Sequence, residues 1–205
     1  MIDSLQAFIL IGGASSRMGT DKARLLIKDR TLVEHIASAL FEITDSVTLV
    51  GRHQTDQFPD FPSTPDLHEH WGALGGLHAA LSACRADWAV VVACDLPFIT
   101  APLLSRLASF AVQVDAVAPI QANGIPQPLC SFYRVSRCLS LAQDLIQTGE
   151  RKPVALLQSV NTRWVEFAEL ADLEAADHLF DNINTPEDFA RANEEGDAVQ
   201  SKRKN

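Results

Sequence analysis

The sequence predicts one three-layer α/β domain around a mostly parallel mixed sheet. Three observations lead there. An apolar run, Leu5 to Ile11, ends at the pair Gly12-Gly13, as a buried strand entering a tight loop would. An amphipathic stretch and a second short apolar run, Val47 to Val50, follow it. Strand, glycine loop, helix and strand in that order open an α/β domain. Trp88 to Cys94, Trp-Ala-Val-Val-Val-Ala-Cys, does not alternate, which suits a central strand buried on both faces. The 205 residues suit a single domain of the usual ~100–200 residues. We assign 1–195 to it and 196–205 to a frayed tail, because Gly196 to Asn205 carries no apolar face.

The elements follow from local patterns. Between Thr31 and Ile43, the residues Leu32, Val33, Ile36, Ala37, Leu40 and Phe41 recur at spacings of three and four. Thr31 with Glu34 three residues on forms a capping box for that helix. Gln54 to Trp71, rich in proline and acid, reads as a loop. Gly72 to Cys84 reads as a helix, and its glycines Gly72, Gly75 and Gly76 point to close backbone packing or a nearby ligand. Thr100 caps a helix running to about Phe110. Ala116 to Pro119 and Leu129 to Tyr133 are strands, and Ser136 to Thr148 is a helix. Lys152 to Gln158 is a short helix and Arg163 to Phe167 a short strand. Pro186 starts a last helix reaching Asn193.

Composition narrows the function. The formal charge of −9 opposes broad binding to nucleic acid, whose phosphate backbone repels an acidic surface. The first apolar run has no positive segment ahead of it and is too short to span a membrane. Cys84, Cys94, Cys130 and Cys138 form no metal-binding spacing. A cytoplasmic protein with reduced thiols is the expectation.

Residues 10–23, Leu-Ile-Gly-Gly-Ala-Ser-Ser-Arg-Met-Gly-Thr-Asp-Lys-Ala, carry the chemistry. Backbone amides in such a loop cradle phosphates, and Gly12 and Gly13 leave room for a nucleoside. Arg17 and Lys22 supply a fork and a movable point charge for phosphate oxygens. Asp21 precedes Lys22 and Ala23 follows it, so the loop is not the Gly-Lys-Ser/Thr phosphate loop. The glycine spacing is also not Gly-x-Gly-x-x-Gly. Asp95 directly follows the central run, where α/β sheets place ligand contacts, and its carboxylate suits Mg²⁺. Asn182 and Asn184 flank Ile183, so an extended backbone sets both amides on one side. Thr185, with Asp188 three residues on, caps the helix opened by Pro186.

Gly12-Gly13, Arg17-Met18-Gly19 and Asp21-Lys22 resemble the signature loop of the nucleotidyltransferase superfamily, in the version found in molybdenum cofactor guanylyltransferases. Cys94-Asp95-Leu96-Pro97 resembles the metal-binding motif of that family, and Asn182-Ile183-Asn184-Thr185-Pro186 its Asn-x-Asn-Thr-Pro motif. Ile11 stands where the family usually has alanine, and Leu49-Val50-Gly51-Arg52-His53-Gln54 lacks the family's asparagine.

The resemblance implies a Rossmann-like nucleotidyltransferase fold and transfer of GMP from GTP to the phosphate of molybdopterin, with Mg²⁺ as cofactor. It implies Arg17, Lys22 and Asp95 as catalytic groups, with Asp95 holding the metal. Leu10, Gly12, Gly13, Lys22, Asp66 and Asp95 would meet the nucleotide. Asn182 and Asn184 would meet the acceptor, with Arg151 and Lys152 as further charge for its phosphate. Gln127 to Tyr133 would open the acceptor side, with Arg134 and Arg137 adding charge or simply solvated. A molybdoenzyme or cofactor-delivery protein would take the product. Two alternatives stay open: a transferase using CTP or another nucleotide on a pterin or sugar phosphate, and a non-catalytic module that delivers the pterin cofactor.

Overall fold

The computed structural model describes residues 2–11, 23, 25–51, 58–68, 71–183, 185 and 187–190. Strand β1 (Leu5–Leu10) is followed by a small antiparallel hairpin, β2 (Leu26–Ile27) and β3 (Arg30–Thr31). Its turn places Lys28 and Asp29 at φ 49° and 65°. The turn has no glycine, so the pattern of the sequence concealed it. Helix α1 (Leu32–Phe41) begins at the expected box: Thr31 Oγ1 accepts from the Glu34 amide at 3.1 Å, and Glu34 Oε2 accepts from the Thr31 amide at 2.7 Å. Strand β4 (Val47–Val50) and the two-residue strand β5 (Ser63–Thr64) come next. β5 lies in the expected loop; with two residues it has no alternation to read. Then come α2 (Gly72–Ala83), β6 (Trp88–Ala93), α3 (Ala101–Ser109) and β7 (Ala116–Pro119). The chain continues through β8 (Cys130–Arg134), α4 (Val135–Gln147), α5 (Val154–Ser159) and β9 (Thr162–Val165). Short 3₁₀ turns occupy Phe167–Glu169 and Ala176–His178.

The main sheet runs β5-β4-β1-β6-β8-β7-β9. β8 alone is reversed, antiparallel to both β6 and β7; every other neighbouring pair is parallel. The mostly parallel mixed sheet is therefore as expected. Period-two alternation sends β1 side chains to two cores. Ala7 and Ile9 join α1 and α3 through Val33, Ile36, Leu40, Leu103 and Leu107. Phe8 and Leu10 join α2, α4 and α5 through Leu77, Leu81, Ala142 and Leu157. Those two cores make the three layers. A third cluster joins Ile27 of the hairpin, Leu32 of α1 and Ile183, with Phe98 and Phe189 against it.

Helix α2 buries nearly its whole circumference, Leu74 through Leu81, which is why its glycines matter. A Cβ on Gly75 would lie 2.8 Å from Trp71 Cβ. Gly75→Ala is thus expected to lower the melting temperature. Alanine in a helix interior gains about 1 kcal/mol over glycine, but a side-chain stem cannot rotate away, and overpacking costs roughly 1–3 kcal/mol. A thermal melt showing stabilisation would mean that Trp71 yields freely.

Candidate active site

Parallel strands align their C-terminal ends on one rim. β1 lies between β4 and β6, with Leu10 in register with Val50 and Ala93. The Ile11 amide donates to the Val50 carbonyl at 2.9 Å, and the Cys94 amide to the Leu10 carbonyl at 3.0 Å. The chain therefore enters residues 12–22 from the middle of the rim, and Asp95 follows one strand away. Gly12, Gly13, Arg17 and Lys22 lie outside the described residues, as do Asn184, Arg52 and the tail 196–205.

Asp66, Leu10 and Gly76 meet at a second point on this rim. A Cβ on Gly76 would lie 3.3 Å from Leu10 Cδ1 and 3.6 Å from Asp66 Oδ1. The small residue lets the acid-bearing loop close over the end of β1. Gly75 and Gly76 thus serve close packing, Gly76 beside a proposed nucleotide contact, whereas Gly72 has open space around it and serves the backbone through its φ of 70°.

The C-terminal motif reaches the same rim from the far end of the chain. The Ile183 amide donates to the Asp95 carbonyl at 3.0 Å. Ile183 is fully buried while Asn182 is exposed. Asn184, the other half of the expected pair, lies outside the described residues. Thr185 and Asp188 exchange the expected cap bonds, at 3.0 and 3.1 Å.

A tie that the sequence did not signal joins the Asp66 loop to the loop after α4. Trp71 Nε1 donates to the Glu150 carbonyl at 2.9 Å, and the Arg151 guanidinium stands 4.9 Å from the centre of the Trp71 ring. The Glu150 carboxylate accepts from the amides of Arg151 and Lys152, both at 2.8 Å, and these amides hold it below its ordinary pKa. The two cations expected near the acceptor are therefore carried on a loop fastened to the Asp66 side.

Arg134 and Arg137 are elsewhere. Because β8 runs against β6, Arg134 pairs with Trp88, at the start of β6 and the opposite end of the strands from Asp95. Its guanidinium stacks on the Trp88 ring at 4.8 Å, and Arg137 pairs with Asp115 at 3.5 Å. The segment before β8 does reach the rim: the Gln127 amide donates to the Pro119 carbonyl.

His68 and His78 lie behind the Asp66 loop with ring centres 5.1 Å apart. Burial, then the neighbouring His68, holds the His78 imidazole below its ordinary 6.5. The unfolded chain then takes up a proton that the folded chain refuses. Stability is complete above about 6.5 and falls as pH drops from there towards the lowered folded value. Melts between pH 7.5 and 5.5 are expected to show this decline, and His78→Gln is expected to flatten it. Equal slopes for both proteins would remove His78 from that dependence.

No disulfide joins the four cysteines, and burial pushes Cys130 and Cys138 up to about 12. No helix among the described residues is long and apolar enough to cross a membrane.

A largely parallel sheet, with Gly12-Gly13 after its first strand in the sequence and an acid after its central strand, is the pattern of nucleotide-handling α/β enzymes, a class that takes ligands at the C-terminal rim of the sheet. The chain belongs to the MobA-like NTP transferase domain family, which matches residues 7–163. It is on that ground a nucleotidyltransferase. A probable molybdenum cofactor guanylyltransferase of Flavobacterium johnsoniae is 30% identical over 189 residues, 89% of this chain and 99% of the relative. A molybdenum cofactor guanylyltransferase of Vibrio campbellii is 32% identical over 196 residues, 89% and 92% of the two chains. Among solved structures, molybdopterin-guanine dinucleotide biosynthesis protein A of Archaeoglobus fulgidus superposes with a TM-score of 0.79 at 26% identity, covering 94% of this chain and 99% of that one.

Proposed function

We propose that the protein transfers GMP from GTP to the phosphate of molybdopterin, giving the guanine dinucleotide and pyrophosphate. The observation that carries this reading is the bond from the Ile183 amide to the Asp95 carbonyl. It joins the proposed acceptor motif to the acid proposed for the triphosphate. The guanylyltransferase relatives, matched over 89% of the chain, support the same substrates.

In this reading the acceptor phosphate oxygen attacks the α-phosphorus of GTP. The bond to the β-phosphate bridging oxygen breaks in line, and pyrophosphate leaves. A phosphate is already anionic near neutral pH, so no general base is needed. Gly12, Gly13 and Leu10 present backbone to the guanosine, and Asp66 contacts it from the α2 side. Lys22 and Arg17 stabilise the triphosphate charge. Asn182 and Asn184 bind the acceptor, and Arg151 and Lys152 add charge for its phosphate.

Mg²⁺ fits the donor set. No cluster of three or more His, Cys, Asp or Glu that could cage a metal occurs among the described residues. An ion held at Asp95 would take its other ligands from phosphate and water, which is the habit of Mg²⁺. Bound there, Mg²⁺ would orient the triphosphate and neutralise its developing charge. We place the reaction in the cytoplasm, where free thiols stay reduced, with a molybdoenzyme or delivery protein receiving the product.

The test is incubation of labelled GTP with molybdopterin and Mg²⁺. Guanylylated pterin and pyrophosphate in equal amounts are expected. Product from CTP in preference to GTP would reassign the nucleotide. Tight GTP binding with no product would favour the delivery module.

A further inference from the structure

The rim carries a cavity of about 190 Å³ beyond β8, away from the proposed nucleotide contacts. Gln121 and Asn123 reach it from the turn after β7, Phe167 from the residue pair after β9, and Asp177, Phe180 and Asp181 from the segment leading into Asn182. β7 and β9 run parallel to each other and in the direction of β6, so their ends open on the same side of the sheet as Asp95. The cavity has two aromatic rings, two carboxylates and two amides, and no cation lines it. Asp181 is fixed: its Oδ2 lies 2.9 Å from His178 Nδ1.

Resting on the transfer reading, we propose that this cavity seats the pterin ring of the acceptor, with Asp177 and Asp181 accepting from its 2-amino and N3–H edge. Four properties agree. The volume holds a planar bicycle and leaves the remainder of the acceptor outside. Phe167 and the exposed margin of the buried Phe180 supply apolar lining for the ring. Two carboxylates match an edge of N–H donors and repel a phosphate, so the acceptor enters ring first. Strands lie about 4.8 Å apart, so β7, two strands from β6, puts the cavity roughly 10 Å from Asp95. A pyranopterin that spans this gap delivers its phosphate to the triphosphate, close to Asn182.

Guanine presents the same amino-oxo edge, so chemistry alone does not choose between the two rings. Position does. The cavity is at the β7–β9 end, whereas the Leu10, Asp66 and Gly76 contact is on the β1–β4 side.

The experiment pairs transfer kinetics with a fluorescence titration of 6-hydroxymethylpterin into wild type, Asp177→Asn and Asp181→Asn. Each variant turns an acceptor oxygen into an amide donor facing the ring. The expected result is a rise of about tenfold in KM for molybdopterin and in Kd for the free pterin, with KM for GTP unchanged. A raised KM for GTP with pterin binding intact overturns the proposal and makes this the guanine pocket. Unchanged values for both ligands overturn it while leaving the transfer reading standing. If wild type makes no product, the transfer reading fails. The pterin titration then decides the cavity alone: weaker binding by the variants supports it, and equal binding overturns it.

Discussion

Asp95→Asn is expected to lower Mg²⁺-dependent GMP transfer by about a hundredfold or more, the scale seen when a group stabilising transition-state charge is removed. The side chain keeps its size and one carbonyl oxygen but loses its charge. The Asp95 carbonyl accepts from the Ile183 amide at 3.0 Å, and that bond is the same in asparagine. The neighbouring Leu96, 1% exposed, anchors the turn in the core independently. Initial rates across a Mg²⁺ series, with a melt of each protein, separate two roles. A metal-holding Asp95 gives a rate loss that added Mg²⁺ partly recovers, at constant melting temperature. A turn cap gives nearly full activity, because asparagine caps about as well as aspartate.

The sequence made most of the fold legible because its signals were local. The α1 stripe, its Thr31–Glu34 box and the Trp88 run each depend on residues within a turn or a strand of one another. The reversal of β8 was not legible. Cys130 to Arg134 has the same apolar character in either direction, and only its antiparallel ladders with β6 and β7 show which way it runs. That reversal is what carries Arg134 and Arg137 to the end of the strands away from Asp95. In the site, Asp95 and the Asn182 motif were marked by their neighbours. Their contact across 88 positions was not, because a backbone bond leaves no residue preference. The Trp71–Glu150 tie was hidden for the same reason: the acceptor is a carbonyl, which every residue carries. Gly76 was readable as a close approach, but what approaches it required the third dimension.

Ile183→Ala is expected to destabilise the protein by about 2–3 kcal/mol, the lower part of the range for truncating a buried isoleucine. Ile183 has no exposed surface and packs with Ile27 and Leu32, with Leu25, Phe98 and Phe189 partly covering the cluster. This group is small and stands outside the two main cores, so its neighbours can collapse on the cavity more readily than the centre of the sheet could. For a chain of this size the loss corresponds to a fall of roughly 5–10 °C in melting temperature. Function should suffer beyond that. The cluster is the apolar footing that holds the 181–183 segment against the turn after β6, and the Ile183 amide needs that footing to keep its bond to Asp95. We expect Ile183→Ala to raise KM for the pterin acceptor more than KM for GTP at temperatures where the protein is fully folded. Asn182→Ala makes the comparison: Asn182 is exposed, so its stability change should lie within about 0.5 kcal/mol, while the acceptor KM still rises. Calorimetric melts and steady-state kinetics on both variants provide the check. A melting temperature unchanged in Ile183→Ala would show that the cluster does not hold the motif. An acceptor KM unchanged in both would remove the motif from the acceptor side, leaving Thr185 and Asp188 as its whole purpose, a helix cap.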